Sequence, residues 1–216
     1  MRGEVCCLDR SAIILADASQ GKFDEDIGLL KVANKPLLNH VVDAVKGVVG
    51  EVLVVTASKE QSDFYAKVVS SSNVKFIINS DEPQGSLAAA LTGFEAAQGD
   101  YSLVLPYNAP FISKEVVSLL FELSAGKSAV VPRWTSSEIE PLHAVYHTGL
   151  ALEAAKKALE AGEVDVSGIA GCLRGVRYVS TLVIEQLDPD FRTFFRVFTP
   201  IELKKAAAMT KPRKHA

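Results

Sequence analysis

A loop near the start of the chain carries residues able to handle phosphate. The stretch LADASQGKFDED, residues 15–26, follows a short apolar run. In α/β nucleotide-binding proteins such a loop is often glycine-rich, because phosphate oxygens must approach backbone N–H groups closely. Here its first positions are Asp17 and Ala18, Lys22 supplies a cation, and residues 24–26 supply three carboxylates. One hypothesis is nucleotide binding through Lys22 and a cation held by the acidic residues, and the alternative is a solvated acidic loop.

The strands and helices that position this loop are predicted from patterns that alternate along the sequence. The segment EVLVVT, for example, is apolar and β-branched, as is typical of a strand buried on both faces of a parallel sheet. Strands are predicted at 11–16, 51–56, 74–78, 101–106, 128–131 and 141–147, extended segments at 29–32 and 177–184, and helices at 36–47, 58–70, 86–98, 113–124, 150–161, 167–174 and 200–209. This order predicts an α/β fold: a single three-layer α/β/α domain over 1–210 with a mostly parallel, doubly wound sheet. Residues 211–216 are predicted to be a basic disordered tail.

Four polar loops then meet at one edge of the sheet. In doubly wound sheets ligands bind at the carboxyl ends of the strands. The loops after Ala16, Thr56, Ile78 and Pro106 therefore converge on one crevice. The helix predicted from Ser86 would also offer free N–H groups there.

Composition limits the class of protein. The 216 residues are 48% hydrophobic and 23% charged, as in an ordinary soluble globular protein, and the apolar runs are too short to cross a bilayer. No signal peptide is recognisable, so we expect a cytoplasmic protein without membrane contact. The net charge of −3, without a basic stripe, disfavours nucleic acid as a partner. The three cysteines form no CxxC pattern, so zinc has little support and buried apolar roles are expected.

Six segments match known motifs in order along the chain. They are IILADASQGKFDEDIGLL (an LAGG loop, a Ser-x-Arg-Met-Gly stretch, Asp-Lys and Leu-Leu), NKPLLNHVVDAV (Gly-Lys-Pro-Leu), GSLAAALTGFEAA (Gly-Pro-Leu), LPYNAPF (Leu-Pro-Cys-Asp-x-Pro-Phe), PLHAVYH (Pro-Leu-x-Ala-x-Tyr) and FFRVFTPIEL (Phe-x-Asn-x-Asn-Thr-Pro-Glu-Leu). Together they resemble the molybdenum cofactor guanylyltransferases and their MobA-like nucleotidyltransferase relatives. The resemblance implies a fold like that of the nucleotide-diphospho-sugar transferases.

The resemblance also implies a reaction and its partners. A terminal phosphate on a phosphorylated pterin, the molybdenum cofactor, attacks the α-phosphorus of GTP, and pyrophosphate leaves. The implied ligands are Mg²⁺, GTP or another NTP, and the pterin or another phosphorylated acceptor. The resemblance is also compatible with a homo-oligomer or with a partner enzyme. Such a step needs positioning and neutralisation of phosphate charge more than covalent chemistry from the protein.

The resemblance assigns the catalytic positions to Lys22, Asp26 and Asn108. Lys22 replaces an arginine, and Ile27 replaces the phosphate-reaching lysine next to Asp26. Asn108 replaces the aspartate that holds the metal. Asparagine still offers a carbonyl oxygen but no charge, and Mg²⁺ usually takes one or two carboxylates. Asp81 is a possible substitute ligand, or else a solvated loop acid.

The remaining nucleotide-contacting positions follow from the same alignment. They are Leu15, Ala16, Asp17, Ala18, Thr56, Asn79, Gly85 and Ser86. Asp17 has a second interpretation, a turn residue that satisfies its own backbone. His143 is expected to be packed or hydrogen-bonded inside a strand rather than a catalytic base. Trp134, in a long loop, either stacks on a pterin or is an exposed aromatic with no such role.

Two functions stay open at this stage. The first is an active nucleotidyltransferase. The second is a catalytically inactive relative that acts as a nucleotide- or cofactor-binding or protein-interaction module, since the metal aspartate and the lysine are both replaced. A dinucleotide-dependent oxidoreductase is disfavoured because no GxGxxG motif follows the first strand.

Overall fold

A computed structural model describes residues 9–16, 23, 25–69, 73–79 and 85–210. The predictions for Asp17, Ala18, Lys22, Asp81 and the tail 211–216 lie outside these residues and stay predictions.

Strands and helices alternate along the described chain. The strands are β1 (Arg10–Leu15), β2 (Lys31–Val32), β3 (Lys35–Pro36), β4 (Glu51–Thr56), β5 (Val74–Ile78), β6 (Tyr101–Pro106), β7 (Ala129–Arg133), β8 (Ala144–His147) and β9 (Val176–Ser180). The helices are α1 (Leu37–Val45), α2 (Lys59–Val68), α3 (Ser86–Ala96), α4 (Lys114–Glu122), α5 (Thr148–Glu160), α6 (Ser167–Cys172), α7 (Thr181–Ile184) and α8 (Pro200–Met209). Single 3₁₀ turns cover Ile27–Leu29, Pro141–His143 and Arg192–Phe194.

A seven-stranded sheet in the order β5-β4-β1-β6-β8-β7-β9 forms the centre. Strand β8 runs antiparallel to both of its neighbours, and the other pairings in this sheet are parallel. The chain leaves β1 toward β4 and β5 and later returns on the other side as β6. The strand order therefore reverses between β1 and β6, the place where ligands bind in doubly wound sheets.

Two apolar layers explain why the sheet is covered on both faces. In β1, Ala12 and Ile14 pack into one core with α1 and α4, whereas Ile13 and Leu15 pack into the other with α3 and α5. Successive side chains of a strand point to opposite faces, so an entirely apolar strand must be covered twice. The predicted three-layer α/β/α fold with a mostly parallel sheet is confirmed.

The segment from Pro141 differs from the strand predicted over 141–147. Residues Pro141–His143 form a 3₁₀ turn in which the His143 N–H donates to the carbonyl of Glu140 at 3.1 Å, and β8 begins only at Ala144. Proline lacks an N–H for the ladder and has a φ suited to the first position of a helical turn. The prediction that His143 lies inside a strand is therefore wrong.

Two other extended segments also contain helical turns. The segment 177–184 is strand only through Ser180, after which α7 begins with the Ser180 hydroxyl capping the N–H of Leu182. Segment 29–32 begins at the last residue of the 3₁₀ turn Ile27–Leu29, in which the Asp26 carboxylate accepts from the N–H of Gly28. Only Lys31–Val32 is strand, and it pairs with Lys35–Pro36. In both cases a side-chain cap offers the backbone an alternative to the ladder.

Two further observations concern the predicted environment of the chain. The free cysteine Cys172 is exposed, so the buried role expected for it is wrong. No helix in the described part of the chain has the length and apolarity needed to span a membrane.

Candidate functional site

A cleft of about 350 Å³ opens at the carboxyl edge of the sheet, where β1 and β6 end. Its walls are formed by the ends of β1 and β6, by the start of α3, by the loop before α6 (residues 163–166) and by the segment before α8 (residues 193–199). The lining residues are Leu15, Gly85, Ser86, Pro106, Tyr107, Asn108, Leu142, Val164, Asp165, Arg196 and Phe198. The cleft therefore lies at the reversal of strand order. Of the four loops predicted to converge there, those after Pro106 and Ile78 contribute lining residues, the loop after Thr56 does not, and most of the loop after Ala16 is outside the described residues.

The predicted site residues fall into two groups. Leu15, Gly85, Ser86 and Asn108 line the cleft, whereas Ala16, Asp26, Thr56 and Asn79 are described residues outside its lining. The Thr56 hydroxyl is buried and points to the carbonyls of Ser58 and Ile77. The Asn79 side chain accepts a hydrogen bond from Thr92 at 3.0 Å. The side chains of Thr56 and Asn79 thus form hydrogen bonds with their neighbours on the β4–β5 side of the sheet.

The start of α3 is tied to the loop before α6. Leu87 N–H donates to the carbonyl of Val164 at 3.1 Å, the N–H of Val166 donates to Ser86 Oγ at 3.0 Å, and the Ser86 hydroxyl donates to Asp165 at 3.3 Å. The expectation that this helix start offers free N–H groups is thus wrong for Leu87. The same bonds fix the loop as one wall of the cleft.

Gly85 makes this close approach possible. Its φ is +149°, a conformation that side-chain-bearing residues rarely adopt, and an added Cβ would lie 2.6 Å from the carbonyl oxygen of Val164. The glycine is therefore required both by its backbone conformation and by the neighbouring loop.

Asn108 connects the end of β6 to the segment before α8. Its Nδ2 donates to the carbonyl of Val197 at 2.8 Å, and the N–H of Val197 donates to the Asn108 carbonyl at 3.0 Å. The residue is 1% exposed, so both bonds are shielded from water. An asparagine is needed here because an ionised aspartate cannot donate to Val197.

The segment before α8 is held at further points. The N–H of Thr193 donates to Asp188 at 2.7 Å, and the Thr193 hydroxyl accepts from the N–H of Ser113 at 2.9 Å. Thr199 begins α8 with a capping box formed with Glu202. Arg196 lies between these anchors, so its backbone is held at the wall of the cleft.

Asp26 lies in a hydrogen-bonded cluster with Gly28 and two residues of α2. Its carboxylate accepts from the N–H of Gly28 at 2.8 Å, from Gln61 at 2.7 Å and from the hydroxyl of Tyr65 at 2.5 Å. Burial and the charge of Asp26 raise the pKa of Tyr65, which keeps the phenol as a donor. Gly28 has no space for a side chain, because an added Cβ would lie 2.5 Å from the Tyr65 hydroxyl. The position next to Asp26, Ile27, is 3% exposed and belongs to the apolar core.

His143 is a packed, neutral side chain. It is 1% exposed, and its ring meets that of Phe194 edge-on at 5.2 Å. Burial, with the positive charge of Arg196 as a second cause, lowers the pKa of His143 to about 3. The backbone of Thr193 offsets part of this shift, although neither ring nitrogen makes a full hydrogen bond. The expectation of a packed histidine is in line with this placement.

Trp134 is neither exposed nor open on both faces. Its ring packs against those of Phe191 and Phe194 at 5.2 and 5.4 Å, and its Nε1 donates to Glu140 at 2.8 Å. The indole is therefore part of an aromatic cluster under the segment before α8.

Metal ligands are sparse among the described residues. They contain no group of three or more His, Cys, Asp or Glu side chains placed to hold an ion. Asn108 contributes a neutral amide whose nitrogen already binds Val197. The described residues alone do not fit a Mg²⁺ site, which usually has one or two carboxylate ligands.

Two cleft residues escaped the sequence reasoning. Arg196 stands where the closing motif of the resemblance has its first asparagine, so a basic residue inside that motif was the available signal. Asp165, one residue before the N-cap Val166, accepts from the N–H of Ser167 at the start of α6 at 2.8 Å, and an acid two residues before a helix was the available signal. Hydrogen bonds from Ser167 and Ser86 and the charge of Arg196 together outweigh burial and lower the pKa of Asp165.

This fold and this cleft define a class, the α/β proteins that bind nucleotides and include the nucleotidyltransferases. The structure resembles molybdopterin-guanine dinucleotide biosynthesis protein A from Archaeoglobus fulgidus, with a TM-score of 0.76 at 20% identity over 93% of this chain and 97% of that one. It also resembles 2-C-methyl-D-erythritol 4-phosphate cytidylyltransferase from Thermus thermophilus, with a TM-score of 0.66 at 19% identity over 92% and 97%.

Sequence comparison identifies the family. The family model for the MobA-like NTP transferase domain matches residues 12–170, and the chain belongs to this family. A probable molybdenum cofactor guanylyltransferase of Methanosarcina mazei is 29% identical over 94% of this chain and 92% of its own length. A protein of the same description from Methanosarcina acetivorans is 30% identical over 88% and 86%. The predicted family is therefore confirmed.

Replacing Gly85 with alanine should destabilise the fold. The new Cβ would meet the Val164 carbonyl and occupy a strained φ, so we expect Gly85→Ala to lower the free energy of unfolding by about 1–3 kcal/mol in urea titrations. Gly171→Ala is the matched control, because its Cβ would meet nothing within 4 Å and its φ is not positive. A Gly85→Ala protein as stable as the Gly171→Ala protein would contradict this account.

Replacing Asn108 with aspartate should lower stability in a pH-dependent way. At pH 7 the carboxylate faces the Val197 carbonyl, so we expect a loss of about 1–3 kcal/mol relative to the unchanged chain. The folded state then raises the pKa of the new carboxyl, and the deficit should shrink on acidification as an O–H donor forms. Urea titrations of both proteins at pH 7 and pH 4.5 measure this. An undiminished stability at pH 7 would show that the amide donor is dispensable.

His143 should make the stability of the chain fall in mild acid. The unfolded imidazole takes up a proton near its ordinary pKa of about 6.5, whereas the folded one does so only near 3. Between these values the unfolded state binds more protons, so His143 lowers the free energy of unfolding by up to about 1.4 kcal/mol per pH unit as pH falls. His143→Phe should remove this part of the slope, and NMR of the unchanged chain should show a neutral ring at pH 5. An imidazolium at pH 5 would contradict the prediction.

Proposed function

We propose that the protein transfers a nucleoside monophosphate from GTP, or another NTP, to a phosphorylated acceptor. The single observation that carries the proposal is the cleft between β1 and β6, built by the segments that the family match covers together with the segment before α8. The names of the relatives, molybdenum cofactor guanylyltransferases, support GTP as donor and a phosphorylated pterin as acceptor.

The chemistry asks the chain for position and charge. An acceptor phosphate oxygen forms a bond to the α-phosphorus of the nucleotide, while the bond from that phosphorus to the bridging oxygen breaks and pyrophosphate leaves with the electron pair. No proton abstraction by a side chain is required when the acceptor phosphate is ionised. The protein's task is to align the two phosphates and to stabilise the charge of the leaving group.

Individual roles follow from the contacts. Asn108 orients the wall of the cleft through Val197, and Ser86 holds the opposite wall through Asp165 and Val166. Asp26 acts as a positioning residue, since its carboxylate bonds to Gly28, Gln61 and Tyr65. Lys22, like Asp26 and Asn108, remains a proposed catalytic residue, and Asp81 a proposed ligand of Mg²⁺. The proposed nucleotide contacts remain Leu15, Ala16, Asp17, Ala18, Thr56, Asn79, Gly85 and Ser86.

An assay with purified chain tests the proposal. Isothermal titration with GTP, with and without Mg²⁺, should give measurable affinity at or below millimolar nucleotide. With a phosphorylated pterin present, pyrophosphate should be released at a rate that depends on both substrates and on Mg²⁺. CTP under the same conditions measures selectivity for the base. If no NTP binds at millimolar concentration, the transferase proposal is wrong and the protein-interaction alternative is favoured.

A further inference from the structure

A second cavity of about 360 Å³ adjoins the cleft and shares three of its residues. The shared residues are Leu142, Asp165 and Arg196, so these three form the partition between the two spaces. The far walls of the second cavity belong to the loop 138–141 and to the start of α6. A group at the partition is therefore reachable from both sides.

Arg196 is the cation that the described residues place at this partition. Its guanidinium forms no hydrogen bond or ion pair with any described residue, and its Cζ lies 5.7 Å from the centre of the Phe198 ring. The backbone on its C-terminal side is fixed by the Asn108–Val197 pair. Among the described residues none takes up its five N–H donors, and Arg196 lines both cavities.

The nearby carboxylates are already engaged by other donors. Asp165 accepts from Ser167 and Ser86, and Glu140 accepts from the indole of Trp134. Glu138, the remaining acid of the second cavity, is exposed and accepts from Ser136. None of them lies within ion-pairing distance of Arg196, so the guanidinium keeps its donors for an anion.

The charge balance of the site indicates a function for Arg196. Phosphate chemistry needs a countercharge, and the position after Asp26 cannot supply one because Ile27 is buried in the core. Arginine binds phosphate through a planar fork of two N–H groups. We propose that Arg196 is a phosphate-binding residue at the partition, contacting either the leaving diphosphate of the nucleotide or the phosphate of the acceptor. The proposal deepens the proposed function and rests on it only for the identity of those ligands.

Titrations with simple anions test Arg196 without requiring turnover. Inorganic pyrophosphate and GTP probe the nucleotide side, and phenyl phosphate added in the presence of saturating GTP probes the acceptor side. Arg196→Gln should weaken at least one of these affinities by about tenfold or more, and Arg196→Lys should give an intermediate loss. Arg174→Gln makes the same charge change on an exposed residue at the opposite edge of the sheet, and should change each affinity by less than about twofold. Thermal midpoints of all variants show whether they are folded.

The outcomes separate this inference from the transferase proposal. Loss of pyrophosphate or GTP affinity alone assigns Arg196 to the nucleotide, and loss of phenyl phosphate affinity alone assigns it to the acceptor. Anion binding lost in Arg196→Gln supports the inference even if the unchanged chain releases no pyrophosphate from GTP. The inference is wrong if Arg196→Gln leaves the affinities for all three ligands within twofold. It is also wrong if the unchanged chain binds none of the three.

Discussion

The pair of hydrogen bonds between Asn108 and Val197 is the constraint on which the cleft depends. It joins the end of the central strand β6 to a segment 89 residues later in the chain, and it does so in a place shielded from water. A buried bond of this kind is costly to break, since each polar group left without a partner carries its full desolvation penalty. Arg196 and Phe198 lie on either side of Val197, so this pair helps to hold both residues at the cleft.

The same contact explains a departure from the related motifs. Where the resemblance places a metal-holding aspartate, this chain has an amide that donates to a carbonyl, and where it places a phosphate-reaching lysine, the chain has an isoleucine packed in the core. Both changes remove charge from one side of the site. The first change removes a negative charge and the second removes a positive one, and the cation that the described residues place at the cleft is Arg196.

Much of the fold could be predicted from the sequence. Runs such as EVLVVT are too apolar to face water on either side, and their alternation with amphipathic helices such as α1 leaves few arrangements of the sheet. The site was harder, because its walls depend on contacts between distant residues. That Val164 would occupy a donor of α3, or that Arg196 would share a cleft with Gly85, follows from tertiary packing that no local pattern carries. The turn at Pro141 and the exposure of Cys172 likewise depend on the neighbours that each segment meets.

Gln61, on α2, connects the two ends of the loop that follows β1. Its side-chain amide donates both to the carbonyl of Ala16, before the first loop, and to Asp26, after it. One residue of α2 therefore clamps the two ends of that loop at a fixed separation, whatever the residues between them are. Phe23, within the loop, packs against the apolar core, so this position is tied to the scaffold as well. The placement of α2 therefore sets how far apart the ends of the loop lie, although no residue of α2 lines the cleft.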